Sequence, residues 1–211
     1  MKKTLYSLLA ALSLCFVAQA QTKGSIEMGI NGGVNFTSVS GTDYNYWGTT
    51  TSESSVSFNV AASLDFYFSD RWSIKVKGIY DRKGWDSAYI TLGDGRDYST
   101  NVDMNYITVP VMANWHFGGK RNWYLNFGPY VGFLTSAKET RFDTDLKDNF
   151  NTTDAGLAYG IGVKIPVSNH VKLFFEYEGQ TGLSDIYKDN YDGSVTTNRG
   201  AANVGINFLL K

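Results

Sequence analysis

Residues 171–186 read VKLFFEYEGQTGLSDI, and the first half of this stretch alternates. Val171, Leu173, Phe175 and Tyr177 fall on one face, while Lys172, Glu176, Glu178 and Gln180 fall on the other, with Phe174 as the exception. A period of two identifies a β-strand with two unlike sides. Glu176 and Glu178 lie in the middle of the strand, so its polar side has to meet water or a polar interior along its whole length.

Working outward, period two and turn residues mark eight such segments, at roughly 25–38, 55–68, 72–83, 102–117, 123–135, 154–167, 171–181 and 199–211. None shows a helical period. Short connections at 69–71, 118–122 and 168–170 alternate with long polar ones at 39–54, 84–101, 136–153 and 182–198. An all-β, eight-stranded antiparallel up-and-down barrel with tight turns at one end produces this pattern. In outer-membrane barrels the long loops face outside the cell.

Register across the short turns tests the barrel independently, because facing residues on neighbouring strands must share a side. Leu64, Phe66 and Phe68 face Val76, Ile74 and Trp72, while Asp65 and Ser63 face Lys75 and Lys77 on the other side. Ala113, Trp115 and Phe117 face Phe127, Leu125 and Trp123. Val163, Ile165 and Val167 face Phe175, Leu173 and Val171, with Gly162 and Gly160 opposite Glu176 and Glu178, where small residues leave room for the glutamates. Pro110 and Pro129 each remove a ladder donor, and a bulge or kink is expected near both.

A soluble calyx would turn the apolar side inward and a membrane barrel would turn it outward. Phe68, Trp72, Trp115, Phe117 and Trp123 gather on the apolar side at the short-turn end, where an interfacial girdle belongs. The opposite side carries Glu27, Asp65, Lys75, Lys77, Glu176, Glu178 and Arg199 among small residues. Lysine facing lipid at mid-membrane costs about 2 to 4 kcal/mol, so Lys75 and Lys77 belong inside. Eight strands enclose a space just wide enough for side chains, so a filled lumen is expected, with Lys75 and Lys77 reaching Glu176 or Glu178 across it.

The address agrees. Lys2 and Lys3, an apolar run from Leu5 to Val17 and the Ala18-Gln19-Ala20 site read as a secretory signal peptide over residues 1–20, leaving a barrel domain over 21–211. Cys15 is the only cysteine and lies in that leader; Leu14 before it argues against a lipid-attachment signal. Without its leader the chain carries 17 basic and 20 acidic residues, which argues against nucleic acid as a partner.

Four pieces together resemble the PorT-like outer-membrane β-barrel proteins of the Bacteroidetes: GIYDRKGW at 78–85, YITVPVMANWHF at 106–117, NFGPYVGFL at 126–134 and EYEGQTGLSDI at 176–186. The resemblance spans about residues 24–211 and implies an eight-stranded barrel of the OmpA/OmpX type in the outer membrane, in contact with its lipid and lipopolysaccharide. The family's namesake serves type IX secretion and gliding. The resemblance implies no catalytic residue, and the chain ends FLLK where many barrels end in an aromatic residue.

Chemistry finds little support. His116 and His170 sit at the short-turn end on different hairpins, away from the outer edge where a lipid hydrolase would need them, and read as rim hydrogen-bonding groups. Lys188–Gly193 spaces its acids like part of a calcium loop but opens on lysine and lacks the closing glutamate; DTDLKD at 143–148 lacks the glycine. GLAYGIG at 156–162 precedes no helix and is no nucleotide fingerprint. No enzyme, metal or cofactor is expected. The loops hold Tyr46, Trp47, Trp85, Tyr89, Tyr187 and Tyr191 among excess acids, a composition suited either to recognition or to packing that orders the loops. A monomer is expected whose loops serve a structural or surface-recognition role. A secretion accessory with a protein partner at loops or turns, and a narrow channel, stay open beside it.

Overall fold

The computed structural model describes residues 23–41, 53–91, 97–188 and 193–210. The expected leader lies outside them, as do Tyr46, Trp47 and Tyr191. Eight strands follow in order: β1 (Ile26–Gly41), β2 (Glu53–Tyr67), β3 (Trp72–Thr91), β4 (Asp97–Phe117), β5 (Trp123–Glu139), β6 (Thr153–Pro166), β7 (Val171–Gly182) and β8 (Val195–Leu209). Each pairs antiparallel with its sequence neighbours, and β1 pairs with β8 to close the barrel. Closure leaves no edge with unpaired backbone groups, which is what hydrocarbon surroundings demand of a strand.

The register across the short turns is the one read from the sequence: Leu64 opposite Val76, Trp115 opposite Leu125, Gly162 opposite Glu176. Met28, Ile30, Val34, Phe58, Ile74, Phe127, Phe175 and Val204 face outward and are exposed, while the alternate positions are buried. At the short-turn end Trp72, Trp115, Phe117 and Trp123 form a continuous ring stack, with centroids 6.3, 5.2 and 6.5 Å apart in succession. Phe68, 53% exposed, completes the outward aromatic set.

The strand ladders differ from the sequence reading in two respects. Near the prolines the ladders skip pairs, Lys77–Gly78 against Val109–Pro110 and Val111–Met112 against Gly128–Pro129, yet the register resumes unchanged. The missing proline donor interrupts hydrogen bonding without inserting a residue. Register shifts lie elsewhere, between Ser54 and Asn59, between Trp85 and Ala88, and between Asn105 and Tyr106. Strands β3, β4, β5 and β8 also run several residues further toward the long-loop end than the alternation suggested. There the polarity inverts: Arg82, Asp103, Thr135 and Lys138 point away from the barrel, while Trp85, Met104, Leu134 and Ala137 are buried inside it.

Candidate functional site

The alternation that turns apolar groups outward turns a matched set of charges inward. Among the described residues, six acids (Glu27, Asp65, Asp81, Asp154, Glu176, Glu178) and six bases (Lys75, Lys77, Lys83, Lys164, Lys172, Arg199) are buried in the lumen, and Glu139 is buried at its long-loop end. Isolated charges there would cost several kcal/mol each, so pairing decides whether the barrel closes at all.

They pair in tiers. Nearest the short turns, Glu27 of β1 accepts from Lys164 of β6 at 2.7 Å and from Lys172 of β7, and Lys164 also reaches Asp65 at 3.0 Å. The Tyr67 hydroxyl lies 2.7 Å from Lys164 and 3.2 Å from Glu27. Above this tier, Lys75 and Lys77 of β3 cross the lumen to Glu176 of β7 at 3.0 and 2.9 Å, and Lys77 also meets Glu178 at 2.5 Å. Tyr124 and Asn126 of β5 donate to the same Glu176 oxygen that Lys75 contacts, at 2.9 and 3.0 Å. Higher again, Arg199 of β8 bridges Glu178 at 2.7 Å and Asp81 at 2.8 Å, with Asn35 donating to Asp81. The last tier centres on Asp154, which accepts from Lys83, Thr197 and Tyr130 at 2.9, 2.8 and 3.1 Å.

Over the charges lies an apolar cap. Trp85, Met104, Tyr106, Leu134, Ala137, Phe150, Ile186 and Val195 form one buried cluster at the long-loop end, with Leu146 and Tyr187 packed against it. Phe150 meets Trp85 edge-on at 6.1 Å and lies 4.9 Å from the Tyr187 ring. Backbone pairing of Phe150 with Tyr187, and the Asn151 amide on the carbonyls of Asp185 and Tyr187 at 2.9 Å each, tie the β5–β6 and β7–β8 loops together above it.

Trp85, expected among candidate recognition groups, is therefore buried at 3% exposure and corrected to a cap residue. Its strand continues past it, and its inward position leaves the lipid-matched zone, so the ring seals the barrel. Tyr187 stands half-buried on the same cap, and the Tyr89 side chain lies outside the described residues. His116 is also interior, not at the rim: it is fully buried, with Nε2 3.2 Å from the Ser73 hydroxyl and its ring 5.0 Å from that of Tyr67. The glycines opposite the glutamates make room for neighbouring side chains. A Cβ on Gly162 would stand 2.3 Å from Cζ of Tyr124, so the space belongs to the tyrosine that holds Glu176.

Asp81, Lys83, Asp154, Lys164 and the lumen tyrosines Tyr67, Tyr124 and Tyr130 are not among the residues the sequence singles out. Parity carries the signal: Asp81 and Lys83 share the side of Lys75 on β3, Tyr67 that of Asp65 on β2, and Asp154 and Lys164 that of Gly160 and Gly162 on β6, while Tyr124 and Tyr130 lie on the side of β5 opposite Trp123. Among the described residues no group of His, Cys, Asp and Glu side chains is arranged to hold a metal.

Residues 18–188 match the family described as outer membrane protein beta-barrel domain. Among solved structures, the outer membrane protein OprG from Pseudomonas aeruginosa is 12% identical, covers 91% of this chain and 99% of its own, and superposes with a TM-score of 0.55. Neisserial surface protein A is 15% identical, covers 88% of this chain and 99% of its own, and gives 0.52. At such identities the likeness is one of fold. No curated protein matches the sequence.

Proposed function

The chain belongs to the outer membrane protein β-barrel domain family and is an outer-membrane protein; from that premise we propose that it is a sealed, non-enzymatic barrel whose work is done at its outer surface. The observation that carries this reading is the filled interior. Six acids and six bases pair across the lumen, and the apolar cluster around Trp85 and Phe150 closes the outer end above them. An ion would have to break several buried pairs in series and then cross a dry cap, which speaks against the channel reading.

A recognition or structural role follows from what remains. The β5–β6 and β7–β8 loops are knitted into a shaped surface, and rigid scaffolds that present loops commonly carry function there. Full-length protein reconstituted in a planar bilayer is expected to show no stepwise conductance; steady open-channel current would overturn the sealed reading. On intact cells, a membrane-impermeant amine reagent is expected to label Lys138 and Lys188, and labelling only after the outer membrane is opened would reverse the assigned orientation. A strain lacking the chain that loses secreted cargo, restored by complementation, would instead favour the secretion accessory.

A further inference from the structure

Outside the lumen, the wall formed by β6, β7, β8 and β1 has a depression of about 270 Å³ on its outward side. Its floor is backbone, because the paired glycines Gly179 and Gly200 carry no side chain there. Two tyrosines lean across that floor: Cε2 of Tyr159 lies 2.5 Å from where a Cβ of Gly179 would be, and the Tyr177 hydroxyl lies 2.6 Å from that of Gly200. Both rings and Phe36 stay about half exposed. Thr181, Ser38 and Asn198 form the polar upper edge, with the Tyr159 hydroxyl 3.5 Å from that of Thr181.

Height places this depression at a boundary. A strand rises about 3.3 Å per residue, and at the usual tilt of about 40° that is roughly 2.5 Å along the membrane normal. Counting up β7 from Val171 puts Tyr177 at about 15 Å and Thr181 at about 25 Å, the outer limit of an apolar band about 25 Å tall. Down each strand from here the outward residues are apolar: Phe175 on β7, Val204 on β8, Val34 on β1.

Charge narrows the choice of occupant. Among the described residues, the only ionic one lining the depression, Arg199, turns its guanidinium inward onto Asp81 and Glu178. No described cation is left on its outward face to attract a phosphate. Half-exposed aromatic rings beside neutral hydroxyl and amide groups match a sugar ring, which offers apolar C–H faces to the rings and hydroxyls to the rim. The geometry points to a seat for the uncharged sugar headgroup of an outer-leaflet glycolipid, its acyl chains running down the apolar wall below. This site is independent of any partner the loops bind.

The test uses the full chain in phosphatidylcholine vesicles doped with either diglucosyl diacylglycerol or phosphatidylglycerol of matched acyl chains. The readouts are lipid retained in native mass spectrometry and ring resonances of Tyr159 and Tyr177. Glucolipid retention is expected to exceed phosphatidylglycerol retention by about fivefold. Asn198→Ala and Tyr177→Leu, which leave the lumen untouched, are expected to erase that preference. Equal retention of the two lipids, preference for phosphatidylglycerol, or a preference surviving both substitutions would overturn the site. Methyl glucoside in bulk water shifting the tyrosines as strongly as the glucolipid would overturn the assignment to a lipid.

Discussion

Lys77 and Glu176 lie 2.9 Å apart although 99 residues separate them in the chain, one on β3 and the other across the lumen on β7. The contact is shared: Glu176 also holds Lys75, and Lys77 also holds Glu178. Neutralising Glu176 takes from Lys75 the acid it pairs with, while Lys77 keeps Glu178. Removing one member of a buried ion pair costs about 3 to 5 kcal/mol, mostly because the other is left uncompensated. Glu176→Gln is expected to destabilise the barrel by about that much in urea unfolding from lipid vesicles. Adding Lys75→Met should recover part of the loss by removing one stranded cation. An unchanged midpoint for the single variant would show that the tier contributes nothing to stability.

The cap separates from the barrel energetically. Phe150 comes from the β5–β6 connection, and its buried ring, 2% exposed, is the part of that loop driven into the cluster. Truncating a buried phenylalanine costs about 3 to 5 kcal/mol where the site does not collapse. Phe150→Ala is therefore expected to release the loop while the lipid-embedded ladders persist, since local openings draw on local contacts. Limited trypsin digestion after Arg141 and Lys147 should accelerate while the urea midpoint of the β-signal stays within error. Equal protection of the loop in both proteins would show that Phe150 does not hold it.

Glu139 makes the same loop sensitive to acid. It ends β5 beyond the lipid band, and its carboxylate accepts the backbone N–H groups of Arg141 and Phe142 at 2.6 and 2.8 Å and the Thr100 hydroxyl. Burial pushes its carboxyl up, but the Thr100 hydroxyl and those N–H groups outweigh burial and hold it below the ordinary value. A carboxyl lowered on folding contributes stability that is full above its unfolded value, about 4.3, and is lost as pH falls through the lower folded value. Amide exchange at Arg141 and Phe142 should quicken, relative to the intrinsic rate, as pH drops into that window. Glu139→Gln should lose the dependence, and a variant with the same acid response would remove Glu139 from the account.

What the sequence made legible was decided by how constant each face stays along a strand. Through the lipid zone the outward set never changes character, so Leu64, Phe66 and Phe68, and their partners across the turn, declare both register and orientation. Above it the inside becomes apolar at Trp85, Met104 and Leu134 while the outside becomes polar at Arg82, Asp103 and Lys138. The period continues but its sign inverts, so a reader following hydrophobicity ends the strand early and assigns Trp85 to a loop. Interior tyrosines were hidden for a related reason. Tyr67, Tyr124 and Tyr130 look like girdle residues by type, and only parity shows that their hydroxyls are aimed at Glu27, Glu176 and Asp154.

Gly162 offers the sharpest test of how the tiers are packed. A Cβ there would stand 2.3 Å from Cζ and 2.4 Å from the hydroxyl of Tyr124, and 2.8 Å from the Phe175 carbonyl. Tyr124 has little freedom to yield, because its hydroxyl donates to Glu176 at 2.9 Å in a fully buried position. Overpacking of this kind costs about 1 to 3 kcal/mol. Gly162→Ala is expected to fall in that range by urea unfolding, whereas Gly78→Ala, where a Cβ meets nothing within 4 Å, should stay within about 0.5 kcal/mol. Combining Gly162→Ala with Tyr124→Leu should cost less than the two single changes added together, because the second substitution removes the ring with which the new methyl collides. Simple additivity would mean that the methyl is accommodated by backbone movement at β7, and that the glycine is there to let the strands approach and not to admit the tyrosine.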